Sequence, residues 1–341
     1  MRRRVFCHRP MQLLAVLLAL GPQSQLGAQS ESDSTVSRQQ PVVVLDRHRA
    51  GVTSVQFSPD GTMLASADLD GRVILWRTGA WIPLRTLSHG SEVYAVAFSP
   101  DGKILASTGG DRKVILWNTV TGKETRRIAN DRRALSIVFA ANGELLIGAE
   151  DGTTHFIDPS TGKENRALKT GGQGSALAVS ADASTLATAL PIRIWDYRTL
   201  NRKSSQQALG QLGLALSAEG KRLASAESTG GALLWNLSDS VTYIPLRTTV
   251  QDRAAGPRGY ESFTVNMPVS AIDMSRSGDL VVGGGTTGLV YLWRPSGSQP
   301  PVPVKLGGHT MTVTAIALSP CAQLVASGSL DRTIRIWRVN P

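Results

Sequence analysis

Six of the seven tryptophans, at positions 76, 117, 195, 235, 293 and 337, each close a short run such as Val-Ile-Leu-Trp or Ile-Arg-Ile-Trp. The gap between 117 and 195 is double. Within it Thr161-Gly162 repeats Thr121-Gly122, which places Ile157 where a further tryptophan would stand. The chain therefore reads as seven units with spacings of 41, 40, 38, 40, 58 and 44 residues. A period of about forty residues is that of a four-stranded propeller blade, and a fixed period overrides a domain count taken from length.

Each unit opens on a strand and a tight turn. Ser58-Pro59-Asp60-Gly61 and Ser99-Pro100-Asp101-Gly102 have proline to preset the turn, aspartate to bond nearby backbone, and glycine to relieve crowding. The first strands alternate small with large residues, as in Ala95-Val96-Ala97 and Ala315-Ile316-Ala317, which suits strands converging on a central channel. Near-continuous apolar runs such as Ile104 to Ala106 suit sheets covered on both faces. The expected fold is all-β: a seven-bladed β-propeller of four-stranded antiparallel blades over residues 41–341. A single blade cannot bury itself, so the ring must close. The seventh unit's last strand run ends at Val339, and the strand-like segment Pro41 to Arg47 is expected to pair with it as the missing outer strand.

The start of the chain has a different character. Arg2, Arg3, Arg4 and Arg9 precede the ten-residue apolar stretch Met11 to Leu20, and Leu26-Gly27-Ala28 follows. Residues 1–28 are expected to be a signal peptide, since ten apolar residues fall short of the ~20 that span a bilayer. Arg3-Arg4-Val5-Phe6 resembles the twin-arginine export motif, and both that route and the general secretory one remain open. Removing residues 1–28 lowers the formal net charge from +10 to +6 and takes away Cys7, leaving Cys321 with no partner for an intrachain disulfide. Residues 29–40, polar and rich in Ser and Gln, read as a flexible leader. A periplasmic or secreted protein is expected, monomeric and without a stable membrane span after cleavage.

Three polar sets recur at fixed spacing. His48, Ser66, Asp70 and Trp76 form one; His89, Ser107, Asp111 and Trp117 a second; His309, Ser327, Asp331 and Trp337 a third. Serine, histidine and aspartate together also describe a hydrolase triad, but triplicate spacing favours structural networks, in which buried ring N–H groups need partners. These sets resemble the structural tetrad of the WD-repeat family, here a bacterial-type exported member. Units three to six depart from the pattern: Ile157 replaces Trp, Ala189-Leu190-Pro191 shortens a turn, and Thr229 and Thr287 stand where Asp is expected.

The resemblance implies a non-enzymatic interaction scaffold that binds a protein or peptide partner, with no catalytic residues, metal or cofactor. Unit six carries 16 extra residues between Leu246 and Val269, rich in arginine and aromatics, and Arg253, Arg258, Tyr260 and Phe263 are the candidate contacts there. The second residue of each inner strand is expected at one rim: Thr53, Tyr94, Leu135, Ser175, Leu212, Ser270 and Thr314, of which only Tyr94 has the character of an anchor. Arg126, Arg127, Arg132 and Arg133 form a basic cluster without stacking aromatics, which argues against nucleic acid as a partner. Cys321 stands where units one and two have aspartate in the turn, an exposed position. The competing reading is a periplasmic propeller enzyme, quinoprotein dehydrogenase-like or lactonase-like. Asp158-Pro159-Ser160-Thr161-Gly162-Lys163 resembles part of a quinoprotein blade-docking motif, with Arg166 where that motif has tryptophan.

Overall fold

A computed structural model describes residues 40–339 except 172–175, 207–210, 228–229, 239–241 and 257–258, and gives the backbone alone for 211–212, 249–256 and 259–266. Residues 1–28, the leader 29–39, Arg258, Ser175 and Thr229 lie outside the described residues. No helix occurs among the described residues, and accordingly none is long and apolar enough to cross a membrane.

Seven four-stranded antiparallel sheets form the body. Their innermost strands are Val52–Phe57, Val93–Phe98, Ala134–Phe139, Leu177–Val179, Gln211–Leu216, Val269–Met274 and Val313–Leu318, in blades one to seven. Each touches the next, and the last touches the first, so the blades close into a ring. Blade seven takes its outer strand from the other end of the chain: Val43–Leu45 pairs antiparallel with Ile334–Arg338, with Val43 opposite Ile336 and Leu45 opposite Ile334. The expected segment Pro41 to Arg47 thus contains the closing strand, trimmed to its three apolar residues.

The core lies between blades. Ile115 and Trp117 of blade two pack with Ala65, Val73 and Leu75 of blade one, and Ile74 and Trp76 of blade one pack with Ile334 and Ile336 of blade seven. Register explains the repeat: Trp76, Trp117, Ile157, Trp195, Trp235, Trp293 and Trp337 lie opposite Leu64, Leu105, Leu145, Leu186, Leu223, Val281 and Val325. Ile157 does occupy the tryptophan position of blade three.

The second inner-strand residue is the extra residue of a β-bulge in six blades, between Val52 and Ser54 in blade one and between Val313 and Ala315 in blade seven, for example. A bulge leaves that residue out of the ladder and re-aims its side chain. The hydroxyls of Ser270, Thr314 and Thr53 donate to the carbonyls of Val313, Val52 and Val93, each the first residue of the next blade's inner strand. Three of the expected rim positions, Thr53, Ser270 and Thr314, therefore lie at a seam between blades. Tyr94 cannot make this bond, and Thr108 makes it instead, donating to Ala134 O at 3.0 Å.

Outer strands are tied by a repeated arginine. Arg85 donates to Val120 O, Arg126 to Ser160 O and Thr161 O, and Arg166 to Tyr197 O and Arg198 O, each reaching the turn of the following blade. The Thr-Gly turns receive them closely: a Cβ on Gly122 or Gly162, both at positive φ, would lie 3.0 Å and 3.2 Å from the incoming arginine Cδ.

Removing residues 41–47 deletes the outer strand of blade seven, including the buried Leu45, and should lower the melting temperature by roughly 5–10 °C. Circular dichroism melting of the full chain against the deletion checks this; coincident curves would contradict closure by this strand.

Candidate partner-binding surface

Three blades hold complete polar networks. In blade two Trp117 Nε1 donates to Ser107 Oγ at 2.8 Å, while the His89 ring meets Ser107 at 2.9 Å and Asp111 at 3.2 Å. In blade seven Trp337 donates to Ser327 at 2.8 Å, and His309 contacts Ser327 at 2.8 Å and Asp331 at 2.9 Å. Burial holds His89 and His309 below the usual histidine range despite the neighbouring carboxylates, which favours neutral imidazoles at pH 7. Burial alone would raise the Asp331 carboxyl, but hydrogen bonds from Thr333 and His309 outweigh it and bring it down to about 2.

Blade one corrects the sequence expectation. Trp76 donates to Ser66 at 2.8 Å and His48 Nε2 meets Ser66 at 2.7 Å, but the carboxylate at His48 Nδ1 is Asp68, at 2.7 Å. Asp70 points away to Arg72, 3.7 Å off and half exposed. The reason is local: Asp68 ends its strand fully buried and also accepts the Asp70 and Arg72 amides, so it caps the turn from inside, whereas Asp111 and Asp331 cap from the turn itself.

The remaining blades resolve the same position in different ways. Trp195 donates to Thr188 at 3.1 Å, and Trp235 to Ser225 at 2.9 Å, with Ser225 passed on to Glu227 at 2.8 Å. In blade six Gly283 takes the serine position, and a Cβ there would lie 2.8 Å from the Trp293 ring. The indole has moved into the vacated space, and its N–H donates to Arg247 O at 3.1 Å.

Arg247 introduces the insertion. The 16 extra residues do not form an open loop: Thr249–Gly256 and Gly259–Asn266 make an antiparallel hairpin, with Arg253 opposite Ser262, Ala255 opposite Tyr260, and Asp252 opposite Phe263. Among the described residues this two-stranded sheet joins no blade. Its base is clamped: Thr248 Oγ1 donates across it to Met267 O at 2.6 Å, Gly231 N to Met267 O at 2.9 Å, and Thr286 N to Pro268 O at 3.2 Å. The altered network of blade six and the hairpin are thus one feature, since hairpin-base backbone supplies the indole acceptor that serine provides in blades one, two and seven.

Tyr94 is half-buried, its hydroxyl donating to Glu92 at 3.2 Å, and it lies apart from the hairpin in blade two. The arginine cluster is spent locally. Arg126 docks on blade three, Arg127 pairs with Glu124 at 2.7 Å, Arg133 with Glu150 at 2.7 Å, and Arg132 approaches Asp151 at 3.8 Å. The Asp158 turn is likewise an inter-blade landing site for Arg126, and Arg166 stacks 4.3 Å above Phe156 and 4.9 Å above Tyr197. Cys321 is exposed, with Ser319 Oγ 3.6 Å from its sulfur where Ser58 bonds Asp60.

Residues 39–77, 81–118 and 301–338 match the family described as WD domain, G-beta repeat. Three segments of the chain are thus similar to WD repeats. The matched segments are units one, two and seven, those with complete networks, and together with the relatives they support a WD-repeat β-propeller family. The chain is 32% identical over 152 residues to Denticleless protein homolog of Danio rerio, covering 44% of this chain and 21% of that protein. It is 25% identical over 175 residues to Target of rapamycin complex subunit wat1 of Schizosaccharomyces pombe, covering 48% and 50%, and 30% identical over 125 residues to human Striatin-4, covering 34% and 16%. The matches thus span half or less of these relatives' own lengths.

Two substitutions test the networks. Asp68→Ala should cost about 1–3 kcal/mol, because it strands a buried imidazole, while Asp70→Ala should stay within about 0.5 kcal/mol; urea denaturation of both variants separates them, and equal losses would restore Asp70 to the network. On the channel side Asp273 Oδ2 accepts the Leu318 amide at 2.7 Å, as Gln56 accepts that of Phe98 at 2.6 Å. Burial pushes the Asp273 carboxyl up to about 6 against the pull of the Leu318 and Met274 amides. A raised folded value means that the protonated form favours folding, and this advantage is lost as pH rises through about 6. Asp273→Asn should therefore melt higher than wild type at pH 8, by roughly 2–5 °C, with the difference shrinking towards pH 5; a pH-independent difference in calorimetry would contradict this.

Proposed function

We propose that this protein is a non-enzymatic protein-interaction scaffold acting outside the cytoplasm, and that the hairpin between blades five and six is its principal partner contact. The observation that carries the reading is the hairpin's construction. Its base is fastened to both blades, while among the described residues its strands pair only with each other, the arrangement that accepts an added strand from a partner. Arg253, Tyr260 and Phe263 belong to its strands and Arg258 to the segment joining them, residue types suited to anchoring at an interface. The WD repeats support the scaffold reading, and one relative bears the name of a complex subunit. Fold alone does not assign function, so the weight rests on this element. The location outside the cytoplasm is supported by the arginines and the ten-residue apolar stretch at the start of the sequence.

Affinity capture from the periplasm or medium tests both parts. A tagged full-length chain should be recovered there with a stoichiometric protein partner. Replacing residues 250–265 by Gly-Gly should abolish co-purification while shifting the melting temperature by less than about 3 °C. Undiminished capture by the shortened chain would remove the hairpin from the interface.

A further inference from the structure

Blades one and two meet, at the end where the Thr-Gly turns lie, around a cavity of about 610 Å³. Met63 and Leu84 of blade one and Val120 of blade two give it aliphatic walls, with Val120 73% exposed. Arg77 and Arg85 also line it, and no carboxylate does. Arg85 is engaged, donating to Leu84 O at 2.6 Å and to Val120 O at 3.1 Å. The exposed Arg77 side chain makes no hydrogen bond or ion pair among the described residues. Asp60, which adjoins the lining residue Thr62, is already taken up by the hydroxyls of Ser58 and Thr62. The cavity thus joins an apolar slot to an uncompensated positive charge.

The neighbouring seam, between blades seven and one, shows what such a place accepts. Trp81 N donates to Arg77 O at 2.8 Å as Gly122 N donates to Asn118 O at 2.8 Å, so Trp81 holds in blade one the turn position that Gly122 holds in blade two. It does so at a φ of 54°, a left-handed conformation that a bulky side chain keeps only where its packing offsets the strain. Val43 lies opposite Ile336 as Arg85 lies opposite Leu75, and Leu324 opposite Arg338 as Met63 opposite Arg77. The counterparts of Arg85 and Met63 in that seam are therefore apolar, and they and Trp81 pack against the same core cluster. Gly122 brings no ring to the seam between blades one and two. Only the Arg85 stem passes over it, its Cδ 3.0 Å from where a Cβ would lie, and the cavity stays open beside it.

We propose that this cavity binds a small aromatic carboxylate, its flat ring held between Met63, Leu84 and Val120 and its carboxylate on the Arg77 guanidinium. The indole of Trp81 is the precedent for the ring, and the unpaired Arg77 supplies the complement to the charge. A lining guanidinium also attracts the face of an aromatic ring, which an aliphatic acid lacks. The volume lies within the usual range of ligand pockets. The site does not involve the hairpin and is independent of the scaffold reading.

Calorimetric titration of the full chain with indole-3-acetate, indole-3-acetamide and acetate tests the assignment. Indole-3-acetate should bind one to one, the uncharged amide at least tenfold more weakly, and acetate without saturable heat. Arg77→Gln should lower the affinity for indole-3-acetate at least tenfold while leaving that for the amide, and the melting curve, unchanged. Val120→Asp, which sets a like charge beside the bound carboxylate, should act in the same direction and carries the test should Arg77→Gln be unstable. No saturable heat with indole-3-acetate, equal binding of the amide, or full affinity in Arg77→Gln would overturn the proposal.

Discussion

Everything in this molecule depends on faces that only neighbours can cover. Each blade is a sheet with two apolar faces, so burial of Ile74, Ile115 or Trp337 is achieved between blades and never within one. A ring of such sheets gains nothing from a missing member, and closure becomes the central requirement. The chain meets it by carrying Val43–Leu45 back to blade seven, which makes the first and last strands of the propeller neighbours in one sheet. Polar seams then fix the angles that burial leaves soft: bulge hydroxyls from blade six round to blade two near the axis, and outer-strand arginines from blade one to blade four at the periphery.

The buried networks show how a repeat drifts without losing its register. The indole needs one acceptor, and the acceptor has been supplied by Ser66, Thr188, Ser225 or the backbone of Arg247. Once the indole itself is gone, as at Ile157, nothing requires a hydroxyl opposite it, and Ile147 removes the polar cost. What remains is Asp151, which still caps Thr153 N, and Asn130, whose side-chain nitrogen has no partner. In blade six the same loss admits the base of an inserted hairpin.

Much of this was legible in the sequence because it rests on spacing. The seven tryptophan positions, the Ile157 substitution, the closing strand and the His-Ser-Trp members of three networks all follow from fixed offsets between residues that pack against one another. What spacing could not distinguish was Asp68 from Asp70, since both lie at one strand-turn junction and the choice depends on which carboxylate faces inward. The hairpin read as a loop because its residues show no clean alternation. At Thr53, Ser270 and Thr314 spacing alone could not show that a bulge lets the hydroxyl bond the next blade's backbone.

The distribution of these departures carries the functional argument. Blades seven, one and two keep every member of the network and match the WD repeat. Blades three and six depart from that pattern: Ile157 and Ile147 replace the indole and its acceptor in one, and among the described residues the hairpin beside the other pairs with no blade. A buried donor without an acceptor and an edge without a strand both raise the free energy of the protein standing alone. The cost of an unpaired edge falls when a second molecule supplies the missing strand, which is the physical basis of the partner contact proposed for the hairpin.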